Sequence, residues 1–567
     1  MFARLFKQYG QRRLRRIMRG YRILKDSNSL GRIADVNRAL TTQRLDIMEG
    51  HVSKYIFGEG VGQAEIVCRQ YLLVWLAGLK LNRALLHALG KPGSSVVHYL
   101  PPEWRKTVQK AGFKIARLRT ALLWNAFVGM MLAYGVLKIG KIILDGINAT
   151  FKISRQQLGD YVYFDGLAAG NLPQPGRDGR SHDIMSWYMQ WAGKEPHIDT
   201  LCHGSIGTER RAVNGTLVIP IPDPVPPLRS LSALSSFTTW GIRATVFATW
   251  DFLRGRWWHA LLLNQAALAA RVCIQNSEAL AKEYLFNNSG WIYRPLWTYA
   301  AEKRGSRITF YFYSTNCEAF KQPDGYPPLP YGWEAMNWPH YLVWDEHQAD
   351  FVRRVVGDTG NIDVVGQIWF HCSAEELPAI GSKSVAVFDV TPHRSSRYQT
   401  LGVAFEFYVP EICIAFLQNI QEITRCAGYS MLWKRKRKIG SMAHPRYRFF
   451  ADQLSRVENV IIVDPDISAN RVIEKSTAVI SMPFTSTALI ARELGKPSCY
   501  YDPSGMVQKD DRAAHGIEIV SGPEELNAWL RNIPDGLHTK DQGICVKKSG
   551  LIRNHLQEEY FQKHQGG

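Results

Sequence analysis

Hydrophobic and polar positions alternate most regularly in the last third of the chain. Short apolar runs at 385–390, 431–433, 460–463, 478–481, 498–501 and 517–520 read as buried strands. Between them, apolar periodicity predicts helices over about 402–427, 446–456, 468–475, 486–494 and 522–531. Apolar strands alternating with amphipathic helices make a doubly wound parallel sheet, because helices must cover both of its faces. Ligands of such sheets bind beyond the carboxyl ends of the strands.

The first two thirds are less regular. Ser95-Val96-Val97-His98-Tyr99-Leu100, closed by Pro101-Pro102, predicts a short strand. A helix over 120–144 and a strand over 161–164 would complete a βαβ unit. The 120–144 run is long enough to span a bilayer. Asn125, Lys138 and Lys141 interrupt it, so it reads as a buried or interfacial helix. A loop is predicted over 166–183 and an ordered Pro/Gly/Trp-rich loop over 321–340. Strands are expected at 216–220, 307–313 and 363–365, with helical segments rich in Trp, Ala and Leu over 232–280. The chain divides into a basic amphipathic segment (1–30), a Rossmann-like domain with insertions (31–375), a second Rossmann-like domain (376–540) and a tail (541–567).

Charge sharpens this division. Residues 1–25 carry nine Lys or Arg side chains, from Arg4 to Lys25, and no acid precedes Asp26. Phe2, Leu5, Phe6 and Tyr9, then Leu14, Ile17, Met18, Tyr21 and Leu24, recur at helical spacing. An apolar stripe opposite a cationic face suits an anionic bilayer, each cation adding about 1 kcal/mol of attraction. A helix docked on the body and a solvated tail are the alternatives. The whole 567-residue chain has a formal net charge of +19, which favours an anionic partner. Nucleic acid is disfavoured, since no recognisable module or interleaved aromatic patch accompanies the charge. Nine cysteines without a CxxC pair read as buried thiols in a reducing compartment. No cleavable leader pattern follows the basic start, so a cytoplasmic location is expected.

Three loops at the carboxyl edge of the last sheet carry candidate chemistry. Met482-Pro483-Phe484-Thr485-Ser486-Thr487 opens directly into a helix. Free N–H groups and a partial positive charge at a helix start favour phosphate, and three hydroxyls add donors. An ordinary Ser/Thr N-cap is the alternative. The second loop holds Lys434, Lys436 and, at the next helix start, His444, Pro445 and Arg446. A cation cluster beside a helix N-terminus suits a charged phosphate. In the third, Arg394 and Arg397 follow Asp389, which reads equally as a structural carboxylate. In the first half, Asp165-Gly166 ends a strand and can present a general base to a cleft, or form a turn.

Pro483-Phe484-Thr485-Ser486 resembles the signature of the bacterial PFTS-motif polysaccharide biosynthesis proteins. The flanking 481–503, Trp433-Lys434, His444-Pro445-Arg446-Tyr447, Arg294-Pro295-Leu296-Trp297-Thr298-Tyr299 and Tyr313-Ser314-Thr315-Asn316 resemble that family too. A looser similarity is to GT-B sialyltransferases and Kdo transferases. Their chain order of acidic-Gly, His-Pro and paired Ser/Thr motifs is matched here by Asp165-Gly166, His444-Pro445 and Ser486-Thr487. The resemblance implies a GT-B-like α/β fold with two Rossmann-like domains facing a cleft and with N-terminal amphipathic helices. The first domain would then be acceptor-side and the second would bind a nucleotide sugar. It implies a glycosyltransferase of surface polysaccharide (O-antigen or capsule) synthesis, using a CMP-linked nonulosonate and a glycan or lipid-linked acceptor. Asp165 would be the base, with Asp389 and Glu302 in reserve. His444, Pro445, Arg446, Lys434, Lys436, Thr485, Ser486, Thr487 and Arg394 would hold the donor. No metal and no cofactor is implied. The chain would sit on the inner face of the plasma membrane. A non-catalytic assembly protein of the same shape is the rival reading.

Overall fold

A computed structural model describes residues 31–533 except 48–49, 92, 152–159, 175–182, 193–197, 199, 206–207, 214, 290–292, 328–332, 359, 370–374, 393–406 and 436–442. The basic segment 1–30, with its expected amphipathic helix, and the tail 541–567 lie outside the described residues.

Two sheets organise the chain. The first contains β1 (Tyr161–Phe164), β2 (Thr200–His203), β3 (Arg211–Val213), β4 (Thr216–Pro220), β5 (Glu283–Asn287), β6 (Arg307–Tyr311), β7 (His340–Val343) and β8 (Asn361–Val364). Its order is β3-β4-β2-β1-β5-β6-β7-β8, parallel throughout except the edge strand β3. The second contains β9 (Ser384–Phe388), β10 (Ser430–Lys434), β11 (Val460–Val463), β12 (Ala478–Ser481), β13 (Ser498–Asp502) and β14 (Glu518–Ser521). Its order β11-β10-β9-β12-β13-β14 is wholly parallel and is the 3-2-1-4-5-6 winding of dinucleotide-binding folds. Both sheets reverse direction at one point, between β1 and β5 in the first and between β9 and β12 in the second. Two Rossmann-like units are therefore present, the second as the apolar strand pattern implied and both as the family resemblance implied.

Burial explains why these strands read as unbroken apolar runs. Val162 and Phe164 of β1 face one core while Tyr161 and Tyr163 face another, and β5 divides Leu285 from Tyr284 and Phe286 in the same way. Side chains of a strand point alternately to opposite faces, so a sheet covered on both sides needs apolar residues at every position.

A helical layer with its own core precedes and interrupts the first sheet. Helices Gly31–Thr42, His51–Phe57, Ala64–Leu76, Leu79–Gly90, Pro102–Lys110, Arg117–Phe151, Leu231–Leu253 and Trp258–Ile274 build it. Trp258–Ile274 is buried along nearly its whole length, with Arg117–Phe151 and Leu231–Leu253 packed on it. Gly135 lets the long helix approach closely, since a Cβ there would meet Leu263 at 2.7 Å. Likewise a Cβ on Gly241 would meet Ile139 at 2.7 Å.

The expected strand at 95–100 is not formed. Only Val96 makes an isolated bridge, to Ile115, so the first βαβ unit is replaced by helices. The β-branched run had a strand's composition, but its neighbours offer it no sheet edge. The expectation of buried thiols holds for most of the described cysteines, with two exceptions. Cys68, Cys202, Cys273, Cys317, Cys413 and Cys499 are free, but Cys273 is exposed and Cys426 is disulfide-bonded.

Within the helical layer, Ser53 Oγ lies 2.9 Å from His259 Nε2, and His259 Nδ1 lies 2.8 Å from Asp251 Oδ2. The constellation copies a hydrolase relay, yet all three side chains are buried. Burial also lowers the His259 pKa, with Asp251 opposing. The relay ties helix His51–Phe57 to the Leu231–Leu253 and Trp258–Ile274 pair.

Candidate active site

The loop after β12 is held from several sides. Met482 N donates to Phe388 O at 2.8 Å, continuing the ladder towards β9. Phe484 then adopts φ +64°, a left-handed conformation that costs a non-glycine residue energy. Aromatic side chains hold it there. Its ring lies 4.7 Å from that of Phe320 and 5.7 Å from that of Tyr500. The Tyr408 hydroxyl donates to Pro483 O at 2.8 Å and the Tyr500 hydroxyl to Thr485 O at 2.9 Å. Phe320 comes from the first sheet's side, so the Pro-Phe half of the motif packs the two units together.

The Thr-Ser-Thr half is polar and mutually bonded. Thr485 Oγ1 donates to Met482 O at 2.9 Å, and Thr487 Oγ1 lies 2.8 Å from Ser481 Oγ and 3.2 Å from Thr485 Oγ1. Ser486 Oγ accepts from Thr315 N at 3.0 Å and from Thr315 Oγ1 at 3.2 Å. Thr315 belongs to the Tyr313-Ser314-Thr315-Asn316 stretch that follows β6. The carboxyl edges of the two sheets thus meet at one serine. Ser486 is the N-cap of the short helix Thr487–Glu493.

Across the junction, Asp165 follows β1 at the first sheet's reversal point. Its N donates to Leu285 O at 2.9 Å, and Asn287 Nδ2 donates to Asp165 O at 3.3 Å. Gly166, at φ +71°, turns the chain immediately afterwards. The backbone of Asp165 is therefore fixed by β5, and its half-buried side chain starts from the edge that Thr315 shares.

The other expected residues are distributed unevenly. His444 is half-buried at the N-cap of helix Pro445–Leu454, with Pro445 in the first turn. Arg446 is exposed and pairs with Glu411 at 2.6 Å. Lys434 ends β10 but is buried, and its ammonium donates to Pro465 O at 2.8 Å and to Arg435 O at 3.2 Å. Burial pushes its pKa down to about 8, against the pull of Asp466, Asp464 and Asp389. Asp389 is also buried and accepts from the Tyr447 hydroxyl, so the carboxylate joins β9 to the His444 helix. Burial pushes its pKa up. Glu302 is paired with Arg294 and lines a cavity of about 430 Å³ at the amino edge of β6–β8, away from Ser486. Lys436 and Arg394 lie outside the described residues. Among the described residues no group of three or more His, Cys, Asp or Glu is placed to hold a metal ion.

A second set of contacts extends the junction. Lys321 N and the Tyr326 hydroxyl donate to Asp511 at 2.7 and 3.0 Å. His515 Nδ1 lies 2.8 Å from Asp345 Oδ1, and Arg492 is 3.2 Å from Asp345 Oδ2. Burial alone would raise the Asp345 pKa, but His515 and the Gln348 N–H hold it below the usual carboxylate range. Gln367 N donates to Glu493 at 2.8 Å. The family resemblance includes the stretch holding Thr315 but assigns it no role, and no sequence signal points to Asn287, because neither belongs to a charged cluster.

The family model described as "Polysaccharide biosynthesis PFTS motif protein" matches residues 240–530, just over half of the chain. The chain belongs to that family. The matched region starts in helix Leu231–Leu253 and takes in β5–β14, so it includes both loops that meet at Ser486. No curated protein matches the sequence. Similar solved structures include the wall teichoic acid polymerase TagF, at 11% identity and TM-score 0.36, covering 77% of this chain and 98% of that one. The UDP-GlcNAc 2-epimerase of Methanocaldococcus jannaschii is similar at 9% identity and TM-score 0.34, covering 71% and 99%. The glycotransferase of kitacinnamycin is similar at 10% identity and TM-score 0.32, covering 71% and 96%.

Proposed function

We propose that this PFTS-family protein is a glycosyltransferase that moves a sugar from a nucleotide donor to a glycan or lipid-linked acceptor during surface polysaccharide synthesis. The observation that carries the reading is the meeting of two carboxyl-edge loops at Ser486, beside the reversal points of both sheets. In this reading the donor lies between the sheets. The Ser486 hydroxyl, which accepts from Thr315, keeps its own proton to donate to a phosphate oxygen. Backbone N–H groups at Ser486 and Thr487 add donors, and Thr485 and Thr487 set the loop's shape through their mutual bonds. His444 is assigned as a second donor to that phosphate, from the loop after β10, with β9 between that strand and β12. Pro445 and Arg446 position and charge that helix start, and Lys434, Lys436 and Arg394 raise the local positive potential. Asp165 accepts the proton of the acceptor hydroxyl as that oxygen bonds the anomeric carbon. The bond from that carbon to the phosphate oxygen breaks, and the nucleotide leaves with the electron pair. Stabilising the leaving phosphate by fixed donors, without a metal, is the main catalytic contribution assigned to this chain.

The finer features of this reading are a CMP-linked nonulosonate donor, a role in O-antigen or capsule synthesis, and residence on the inner membrane face through residues 1–30. One observation favours a rival, a non-catalytic assembly protein of the same shape: the Thr485 and Thr487 hydroxyls are already bonded to neighbours. Thermal denaturation with CMP, UDP, GDP and TDP separates the two. A ligand at a hundred times its dissociation constant stabilises by about 2.7 kcal/mol. A shift with one nucleotide, reduced in Ser486→Ala, supports the transferase. No shift with any of them favours the assembly protein.

A further inference from the structure

The helical layer leaves a long row of large apolar side chains exposed. Helix Arg117–Phe151 is 35 residues long, and by length and composition it could cross a membrane, yet only a third of its most apolar window is buried. Its inward face, including Trp124, Val128, Met131 and Ile142, belongs to the helical core. Its outward face is apolar as well. Leu118, Leu122, Met130, Tyr134, Leu137 and Leu144 recur at spacings of one or two turns, and Leu137 is 70% exposed. At about 1.5 Å per residue the helix presents this stripe over roughly 40 Å.

Helix Leu231–Leu253 runs alongside in the opposite direction, with Gly241 against Ile139 and Leu234 against Gly146. Its outward face changes character along its length. Ser232, Ser235, Ser236 and Thr239 occupy the first half, and Ile242, Val246, Trp250 and Leu253 the second, where Leu253 is 74% exposed. The apolar half lies beside the N-terminal half of the long helix, because the helices are antiparallel. The end of helix Ala64–Leu76 adds exposed Val74 and Trp75, and Tyr71 of that helix reaches Met131. Exposed apolar patches on soluble monomers rarely extend so far, and larger ones mark binding surfaces.

The charges on this surface select the partner. Arg117, Arg119, Lys141, Arg243, Arg254 and Arg256 are exposed. The acids of the same two helices are Asp145, paired with Lys141, and Asp251, buried against His259. Arg254 lies 4.4 Å from the ring centre of Trp250, and Lys80 lies 5.4 Å from that of Trp75. Exposed Trp and Tyr flanked by cations are the combination that partitions to the headgroup level of a bilayer. A second copy of the chain would bring two basic rims together, which disfavours self-association.

We propose that the outward faces of helices Arg117–Phe151 and Leu231–Leu253 form one membrane-docking surface, and that its partner is an anionic lipid bilayer. This surface is built from residues other than the basic N-terminal segment and does not depend on the donor chemistry. The test is vesicle flotation of the full-length chain in a background where Arg12, Arg13, Arg15 and Arg16 are replaced by Gln. That protein should float with vesicles of phosphatidylglycerol and phosphatidylcholine, and much less with phosphatidylcholine alone. Adding Leu122→Asp, Leu137→Asp and Trp250→Asp should abolish flotation without lowering the thermal transition. Should that variant not fold, the exposed pair Arg117→Glu and Arg254→Glu decides, with binding to anionic vesicles weakened on the order of tenfold or more. Failure of the background protein to float, or undiminished flotation of the charge-reversed pair, overturns the proposal. So does a stable dimer that the Asp substitutions dissociate in the absence of lipid.

Discussion

Removing the Ser486 hydroxyl should disturb two things of different kinds, and the structure sets the size of each. Ser486→Ala deletes the acceptor for both Thr315 N and Thr315 Oγ1. The threonine hydroxyl can turn to another acceptor, but the amide cannot. A donor left unsatisfied in a partly buried site costs about 1–3 kcal/mol. Opening of the loop after β6 should therefore be favoured by a factor of roughly 5 to 150. Hydrogen exchange read by mass spectrometry on the segment around 313–317 measures this directly. Exchange should accelerate in Ser486→Ala and stay near the wild-type rate in Ser486→Thr, which keeps an acceptor. The second effect is on chemistry. Loss of one fixed donor to a developing negative charge costs about 10²–10³ in turnover. Thr315→Val separates the two, since it alters the bridge and leaves the Ser486 hydroxyl in place. It should lose far less turnover than Ser486→Ala. Unchanged exchange at 313–317 in Ser486→Ala would refute the bridge. Equal turnover losses in Thr315→Val and Ser486→Ala would refute a direct role for the hydroxyl.

Other expectations follow from single residues. Phe484→Ala should destabilise by about 3–5 kcal/mol through lost packing against Phe320 and Tyr500. Phe484→Gly should be the milder change by about 1 kcal/mol, because glycine adopts φ +64° freely, and the melting order of the two variants checks it. Lys434, pushed down to about 8, is neutral in the folded protein but charged in the unfolded chain between about pH 8 and its ordinary 10.5. The unfolded state binds more protons in that window, so wild type should gain stability relative to Lys434→Met as pH rises through it, by up to about 1.4 kcal/mol per pH unit. A pH-independent difference between their melting curves would contradict this. Ser53→Ala should cost about 1–3 kcal/mol of stability, and Ser53 should resist fluorophosphonate labelling in the native protein, because the relay is closed to solvent.

The second sheet was legible because its strands and helices alternate without interruption and each strand is apolar throughout. The first sheet was harder to read. Its strands are separated by helices that pack as a layer of their own, and Ser95–Leu100 had a strand's composition without a sheet edge to join. The phosphate candidate was legible as a hydroxyl-rich helix start, but its bonding was not. Nothing in the spacing tells that Thr487 turns to Ser481, or that Ser486 receives Thr315 from a loop 171 residues earlier. Lys434 looked like a cleft residue because it ends a strand at the right edge, whereas Asp389 read equally as a structural carboxylate, as which it serves. Their burial under the 464–466 loop and Tyr447 depends on tertiary packing that residue type does not encode. Phe484 is the reverse case, an apolar residue inside a polar motif whose role appears only once the left-handed backbone and the Phe320 contact are seen.

The central claim is that the junction at Ser486 holds the phosphate of a nucleotide sugar opposite Asp165. It is tested most directly by nucleotide release from a panel of CMP-, UDP-, GDP- and TDP-sugars, with and without glycan acceptors. The account predicts that wild type cleaves at least one donor. Asp165→Asn should then bind that donor normally but turn it over about 10²–10⁴-fold more slowly, and Ser486→Ala with His444→Ala should lose turnover almost entirely. An active wild type whose turnover survives the Ser486→Ala and His444→Ala pair unchanged would contradict it.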